Sequence, residues 1–405
     1  MDYDIKFRKL GFIRKSSYKL TSFLNILLIV YLFLSFFEPY LNQIVGSFLK
    51  FYIIFLIFMF IICHLVMKEK IRTVSLIFIP WLLFKIISIT WGQLSLFFSP
   101  DIVTSQIYNN ILMVVLLFLF SSTSNLPFIK KHISGFLLGF SFLFGIIGLF
   151  FSQPLISDSG IETSRIVLTI LGNQIDPNNL AVFYLFFIAF SLNSFLTYNR
   201  KFFSLSAFII NSFNLLLTGS RAGLLTWIAL IVFSLIFIIS QSKIKLSRKY
   251  KLIFISLITV IVIAIIIRFF ATEQLIDRLI NFSDYEGGSG RDILWTQAVN
   301  NFSLKPLFGW GLGGYEWGTS HNTYLTTLVD TGIIGFILFI CPLLYLGLKA
   351  FNKKNLFSLS LLLILLITSF FIDAINKRYF WNIILIIILW IESTQNVTKV
   401  GITND

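Results

Sequence analysis

Charge is what this sequence has least of. Only 12% of its 405 residues are Asp, Glu, Lys or Arg, about half the share found in ordinary soluble domains. Apolar residues make up 57% of the chain and 48 residues are phenylalanine. An interior of this size cannot enclose so much apolar surface and keep a wettable exterior, which excludes a soluble enzyme. Disorder is excluded for the opposite reason, since disordered chains are poor in apolar residues. The two cysteines, Cys63 and Cys341, can build neither a disulfide framework nor a zinc site and are read as packing residues. With only three histidines, few side chains can exchange a proton near neutral pH.

What is present is a series of long apolar runs. A membrane helix needs roughly 20 mostly apolar residues. Runs of that kind centre near Leu28, Phe58, Leu83, Val115, Phe142, Ala189, Phe208, Ile231, Val260, Phe339, Ile364 and Ile386. The expected fold is all-α: one polytopic membrane domain over residues 1–405 with about twelve transmembrane helices. The seventh run, near Phe203–Thr218, and the last, near Tyr379–Ile391, are short for a span. No secretory cleavage site follows the first run, which is therefore read as a retained helix. No repeat of fixed period is visible.

The net charge of +14 would suit a nucleic-acid binder if it were clustered on one face, but it is distributed by loop. Lys6, Arg8, Lys9, Arg14, Lys15 and Lys19 precede the first run. Lys68, Lys70 and Arg72, then Lys130 and Lys131, then Arg200 and Lys201 occupy alternate connections. Lys243 to Lys251 and Lys349 to Lys354 continue the series. The positive-inside rule then puts both termini in the cytoplasm, and no nucleic-acid partner is expected. Anionic membrane lipid is a natural neighbour of these loops.

In that orientation two outward loops are long, residues 152–178 and 271–331, and long ordered loops tend to carry function. The second should contain short helices. Ser289-Gly290-Arg291-Asp292 opens one in which Trp295, Val299 and Phe302 share a face. Leu275, Ile276, Leu279 and Ile280 form an amphipathic stretch suited to the membrane surface.

Few outward residues carry chemistry. Of the histidines only His321 faces out, in Ser320-His321-Asn322, either as an interfacial polar side chain or as a general base with a suitable ordinary pKa. Arg165, Arg221, Arg291 and Arg378 stand in or beside the outward loops, where arginine is normally depleted. Snorkelling is the bland reading of each, and it is the one given to Arg268 and Arg278. Convergent guanidinium groups would instead suit a diphosphate, whose oxygens they match in pairs. Lys85, inside the third run, either lines the same cavity or snorkels. Gly309-Trp310-Gly311-Leu312-Gly313-Gly314 follows no expected strand, so a nucleotide loop is rejected in favour of a tight turn. Asp284 and Glu286 are read as a solvated acidic pair ahead of a metal site, and neither metal nor cofactor is expected.

The segment from Arg291 through Trp295 and Pro306-Leu307-Phe308-Gly309-Trp310-Gly311 leads to His321-Asn322, then Gly332-Ile333-Ile334-Gly335. This order resembles the O-antigen ligase and O-antigen polymerase superfamily. Upstream, Arg165 with Gly172-Asn173-Gln174-Ile175-Asp176-Pro177-Asn178-Asn179-Leu180-Ala181 is similar to its first outward-loop segment. Thr218-Gly219-Ser220-Arg221-Ala222-Gly223 is similar to its Ser-Arg-x-Gly element. The resemblance implies a metal-independent glycosyltransferase at the outer face of the bacterial cytoplasmic membrane, acting on an oligosaccharide linked to undecaprenyl diphosphate. It implies Arg165, Arg221 and Arg291 as phosphate clamps and His321 as base, with Asn322 orienting it. Asn178, Arg378 and Lys85 complete the substrate-binding expectation. A flippase and a chain-length regulator are the implied protein partners.

Polymerase and ligase both fit. A polymerase pattern of Arg, ten residues and Gly is not met by Arg165 or Arg291, because Asp176 and Phe302 occupy the required places. The reading leans to a polymerase of O-antigen, capsule or exopolysaccharide units, with a ligase to lipid A–core as the alternative. A transporter of lipid-linked oligosaccharide or a non-catalytic scaffold are the rivals from other classes. A transporter would be expected to show broken helices and midplane charges.

Overall fold

The structure is a computed structural model that describes residues 23–67, 74, 76–123, 126–156, 162–197, 200–240, 250, 253–254, 257, 261, 291–316 and 318–393. The ninth apolar run near Val260, the Leu275 stretch, Arg268, Arg278, the Asp284–Glu286 pair and Ser289-Gly290 lie largely or wholly outside these residues.

The chain is a mostly helical membrane protein. In order the elements are α1 (Phe23–Phe36), α2 (Glu38–Ile44), α3 (Phe48–Met67), α4 (Ile79–Ile87), α5 (Ile89–Gly92), α6 (Pro100–Thr123) and α7 (Leu126–Phe150). Strands β1 (Ser152–Ile156), β2 (Glu162–Ile170) and β3 (Asn173–Gln174) follow. The remainder is α8 (Pro177–Thr197), α9 (Lys201–Leu217), α10 (Arg221–Ser240), α11 (Arg291–Leu304), α12 (Thr323–Asn352), α13 (Leu356–Thr368) and α14 (Arg378–Ser393). Among the described residues six helices are long and apolar enough to cross a membrane: α3, α6, α7, α8, α10 and α12. The runs near Leu28, Leu83, Phe208 and Ile364 form shorter apolar helices, and the last run forms the 16-residue α14. The expected count of about twelve spans is thus supported only in part. The third run forms a short apolar helix, Ile79–Gly92, whose hydrogen bonds run on through Ser88 from α4 into α5: Ser88 N–H donates to the Phe84 carbonyl and Gly92 N–H to the Ser88 carbonyl.

The all-α expectation needs correction. The first long loop folds as a three-stranded antiparallel sheet in the order β1-β2-β3. Ser152 pairs with Leu168 and Ile170 with Asn173. The β2–β3 turn has only Leu171 and Gly172 at its centre, both at positive φ (52° and 80°), the geometry that matches strand twist in a two-residue hairpin. Backbone groups outside helices must find partners, and a hairpin satisfies them locally. The sequence signal was weak because Glu162–Ile170 alternates poorly.

Two helices form the axis of the bundle. α8 is buried along almost its whole length, from Leu180 to Leu196, and α14 likewise from Phe380 to Ile391. A helix apolar on every side belongs in an interior, where no polar face is needed. Phe36, Phe140, Phe144 and Phe187 stack around α8, with ring centroids 4.8–5.9 Å apart for Phe36–Phe187, Phe140–Phe187, Phe144–Phe187 and Phe140–Phe144. α3 instead turns Phe51, Phe55, Phe58 and Leu65 outward, the surface a lipid environment requires.

α12 carries the main irregularity. Its chain is broken at Gly332, where φ is 64° and ψ −169°. In hydrocarbon every backbone polar group must be paired within the protein, and here the glycine-rich turn supplies the partners. Trp310 N–H donates to the Val329 carbonyl at 2.8 Å and Gly311 N–H to the Asp330 carbonyl at 2.9 Å. Ile333 N–H in turn donates to the Pro306 carbonyl at 2.9 Å. A Cβ on Gly332 would strike the Leu307 carbonyl, and one on Gly311 would strike the backbone at Gly92 and Ser88. The turn is therefore wedged between the break in α12 and the Ser88–Gly92 stretch, with Leu312 N–H donating to the Ser88 hydroxyl at 3.1 Å.

Gly332→Ala is expected to destabilise the protein strongly, because it combines positive φ with a backbone clash. Gly135→Ala, on α7 with open space around its Cβ, should be neutral or gain up to about 1 kcal/mol. Thermal unfolding midpoints of the two detergent-solubilised variants check this; equal midpoints would refute the account of the break.

Candidate functional site

Because α6, α8, α10, α12 and α14 all run away from the same end of the bundle, their N-termini gather there. A cavity of about 730 Å³ opens among them. Its wall takes residues from the first turns of α6 and α8, from the first residue of α11, and from the turns that lead into α12 and α14. Helix N-termini carry unpaired N–H groups and the positive end of the helix dipole, so such a cavity favours anions.

Arg291 and His321 share the cavity wall with the Asp176 carboxylate. Arg291 opens α11 and His321 stands two residues before α12, and both line the wall. Burial lowers the Arg291 guanidinium from its usual range, and the Asp176 carboxylate opposes that effect. His321 is exposed and adopts a left-handed φ of 51°, a conformation uncommon outside glycine and one that deserves a local cause. The cause is the helix start beside it. Asn322 is the N-cap of α12, and its Oδ1 accepts from the N–H groups of Tyr324 and Leu325 at 2.9 and 3.1 Å. Its side chain is buried and absent from the cavity wall. Asn322 thus fixes the backbone that carries His321 rather than touching its imidazole.

Arg165, and Ser220 next to Arg221, reach the cavity wall through Asn178. From β2, Arg165 Nε donates to the Thr218 carbonyl at 3.0 Å and Nη2 to Asn178 Oδ1 at 3.3 Å. Ser220 Oγ donates to the same Asn178 oxygen at 2.9 Å and accepts from Gly223 N–H at 3.1 Å, capping α10. Arg221 is the first residue of α10, half-buried and off the cavity wall. Asn178 lines the cavity and is held there by Asp176, whose Oδ1 caps α8 by accepting from Asn178 and Asn179 N–H, each at 3.0 Å.

The wall also carries amides and a carboxylate: Gln106, Asn109, Asn376 and Asp373, with Asp373 Oδ2 accepting from the Thr319 hydroxyl at 3.4 Å, two residues before His321. Lys85, buried in α4, lies behind this wall. Its Nζ donates to Gln106 Oε1 at 3.1 Å and Asn376 Oδ1 at 3.2 Å, and it sits 5.4 Å from the centre of the Trp81 ring. Arg378 is also behind the wall, paired with Glu38 and 3.5 Å from Asn109 Oδ1. Neither residue lines the cavity; both heads are bonded to protein groups, and through these they support residues that do line it.

Sequence reasoning missed Asp373, Asn376, Gln106 and Lys377 of the wall. Lys377 is exposed and Asp373 half-buried. Asp330, buried in α12 near Lys85, was also missed, though a charged residue inside an apolar run is a signal in its own right. On α11 the buried face is Trp295, Ala298 and Phe302, while Val299 is exposed, because Ala298 is what lets Tyr315 and Val329 close against the helix.

No curated protein matches the chain. Residues 206–340, a third of the chain that takes in most of α9, all of α10 and α11 and most of α12, match the family model described as O-antigen ligase. The match agrees with the resemblance carried by the ordered motifs from Arg165 to Gly335.

Proposed function

We propose that the protein is a polymerase of polysaccharide repeat units carried on polyprenyl diphosphate, working at the outer face of a bacterial cytoplasmic membrane with both termini inside. The observation that carries this reading is the cavity among converging helix N-termini, with Arg291 and His321 on its wall and Arg165 one hydrogen bond behind it. A sugar hydroxyl of one lipid-linked unit attacks the anomeric carbon of another. The bond from that carbon to the diphosphate breaks, and the lipid diphosphate leaves with the electron pair. Its charge is already present on leaving, and Arg291, with Arg165 and Arg221 nearby and the helix dipoles behind them, stabilises it. His321 takes the proton of the attacking hydroxyl. Direct attack by an external acceptor inverts the anomeric carbon.

A ligase that transfers the glycan to lipid A–core uses the same machinery with a different acceptor. The transport reading draws support from one feature, the broken α12 with Asp330 and Lys85 beside it. Against it, the glycine-rich turn pairs the carbonyls of Val329 and Asp330, where a transporter leaves such groups open to its cargo.

The reading is tested in membranes lacking the native protein, supplied with lipid-linked oligosaccharide and EDTA. Wild type should give a ladder on a gel. Arg291→Ala and Arg165→Ala should slow it by about 10²–10³-fold, and His321→Ala by about 10²–10⁴-fold, at unchanged protein levels. Transfer only when lipid A–core is added would make the protein a ligase, and activity in neither assay would favour the transporter.

A second expectation separates capping from substrate contact at Asn322. Asn322→Asp keeps an oxygen for Tyr324 and Leu325 and should retain most activity and stability. Asn322→Ala should lose about 1 kcal/mol, read as a lowered thermal midpoint. Loss of turnover in Asn322→Asp with an unchanged midpoint would instead put Asn322 against substrate.

A further inference from the structure

The amides of the cavity share one arrangement. Lys85 Nζ holds the oxygens of Gln106 and Asn376, Arg378 approaches that of Asn109, and Arg165 holds that of Asn178. Lysine and arginine have only donors, so an amide facing them must present its oxygen and turn its NH2 the other way. Asn376 spends its NH2 on Asp373 Oδ2 at 2.9 Å. Gln106 and Asn109, which are neighbours on one face of α6, are left with theirs toward the cavity they line. Beside them Asp373, on the same wall, has its Oδ1 buried with no protein partner.

This mixture discriminates between ligands. A diphosphate offers only acceptors and negative charge, so it suits Arg291 and His321 and is repelled by Asp373. A sugar hydroxyl offers one donor and two acceptor positions, so it can accept from an amide NH2 and donate to a carboxylate at the same time.

We propose that Gln106, Asn109 and Asp373 form a sugar-reading subsite in the cavity, with Lys85 and Arg378 as positioning residues that fix its hydrogen-bond polarity. The assignment rests on the functional reading above and adds where the glycan is recognised. Glycan discrimination then lies on the α6 wall and in the turn before α14, and diphosphate recognition lies with α11 and the turn before α12.

The test is direct binding to the purified full-length protein in detergent, followed by titration calorimetry. Two probes are compared: undecaprenyl diphosphate without sugar, and the lipid-linked oligosaccharide extracted from cells lacking the protein. Wild type should bind the glycosylated lipid more tightly than the bare one. Gln106→Met and Asn109→Ser, both uncharged, should each weaken the glycosylated lipid by about tenfold, the worth of one hydrogen bond, and leave the bare lipid within about twofold. Arg291→Ala should weaken both lipids. Lys85→Met should behave like Gln106→Met, and Lys85→Arg should restore discrimination, a rescue that a purely structural role would not produce through this ratio.

Equal weakening of both lipids in Gln106→Met and Asn109→Ser, or no weakening of either, would overturn the subsite while leaving the diphosphate site intact. Wild-type binding to neither lipid would overturn the functional reading itself, and the subsite with it.

Discussion

The bundle depends on one requirement, that a helix broken inside hydrocarbon must have its freed backbone groups paired. Gly332 breaks α12, and the turn from Pro306 to Gly314 closes the gap with three backbone hydrogen bonds of 2.8–2.9 Å, from Trp310, Gly311 and Ile333. Much follows from that closure. The turn also donates from Leu312 N–H to the Ser88 hydroxyl, which ties α4, and with it Lys85, to α12. It anchors the C-terminal end of α11, whose Phe302 packs with Trp310 against Val329. The chain between the turn and Asn322 is then short, and His321 is delivered to the cavity from a fixed position. Flexible loops would not place Arg291 and His321 on one wall; a loop fastened to a broken span does.

The second constraint is topological. Helices that alternate direction bring every second N-terminus to the same end, and the cavity opens there among them. No single side chain supplies its positive character. The dipoles and the arginines add in one direction, against the Asp176 carboxylate, so an anion meets a prearranged environment rather than one that must reorganise around it.

Much of this was legible in the sequence, and the part that was not has a physical explanation. Apolar runs locate helices because a span must be apolar along its length, and each run within the described residues centres on one. Length was less legible: the third run continues apolar past Gly92 to Leu94, Leu96 and Phe97, but its helix ends at Gly92, where a glycine packs against the Leu312 backbone. The sheet escaped because Glu162–Ile170 lacks strict alternation and lies between helices. Arg165, Arg291 and His321 stood out as rare residue types in rare places. Asp373 and Asn376 did not, because Asp and Asn in a short turn between apolar helices look like ordinary turn residues. Only their meeting with Lys85, some 290 positions away in the chain, separates them from that background, and no local pattern encodes it.

The two buried cations show how the site and the fold share the same groups. A lone charge at membrane depth costs about 2.5–3.5 kcal/mol on insertion scales, and the economical remedy is an adjacent carboxylate. Arg378 takes that course with Glu38. Lys85 does not: Asp330 and Asp373 act on it through their fields, but its hydrogen bonds go to two neutral amides. A salt bridge would have satisfied the ammonium and left the Gln106 oxygen without that donor, while Asn376 is also held by Asn110 and Asp373. Giving the donors to amide oxygens instead leaves Asp373 with an unpartnered oxygen at the cavity wall and orients the amides beside it. The arrangement stabilises the membrane domain less well than a direct pair would, and it yields a wall whose donors and acceptors are fixed before any ligand arrives.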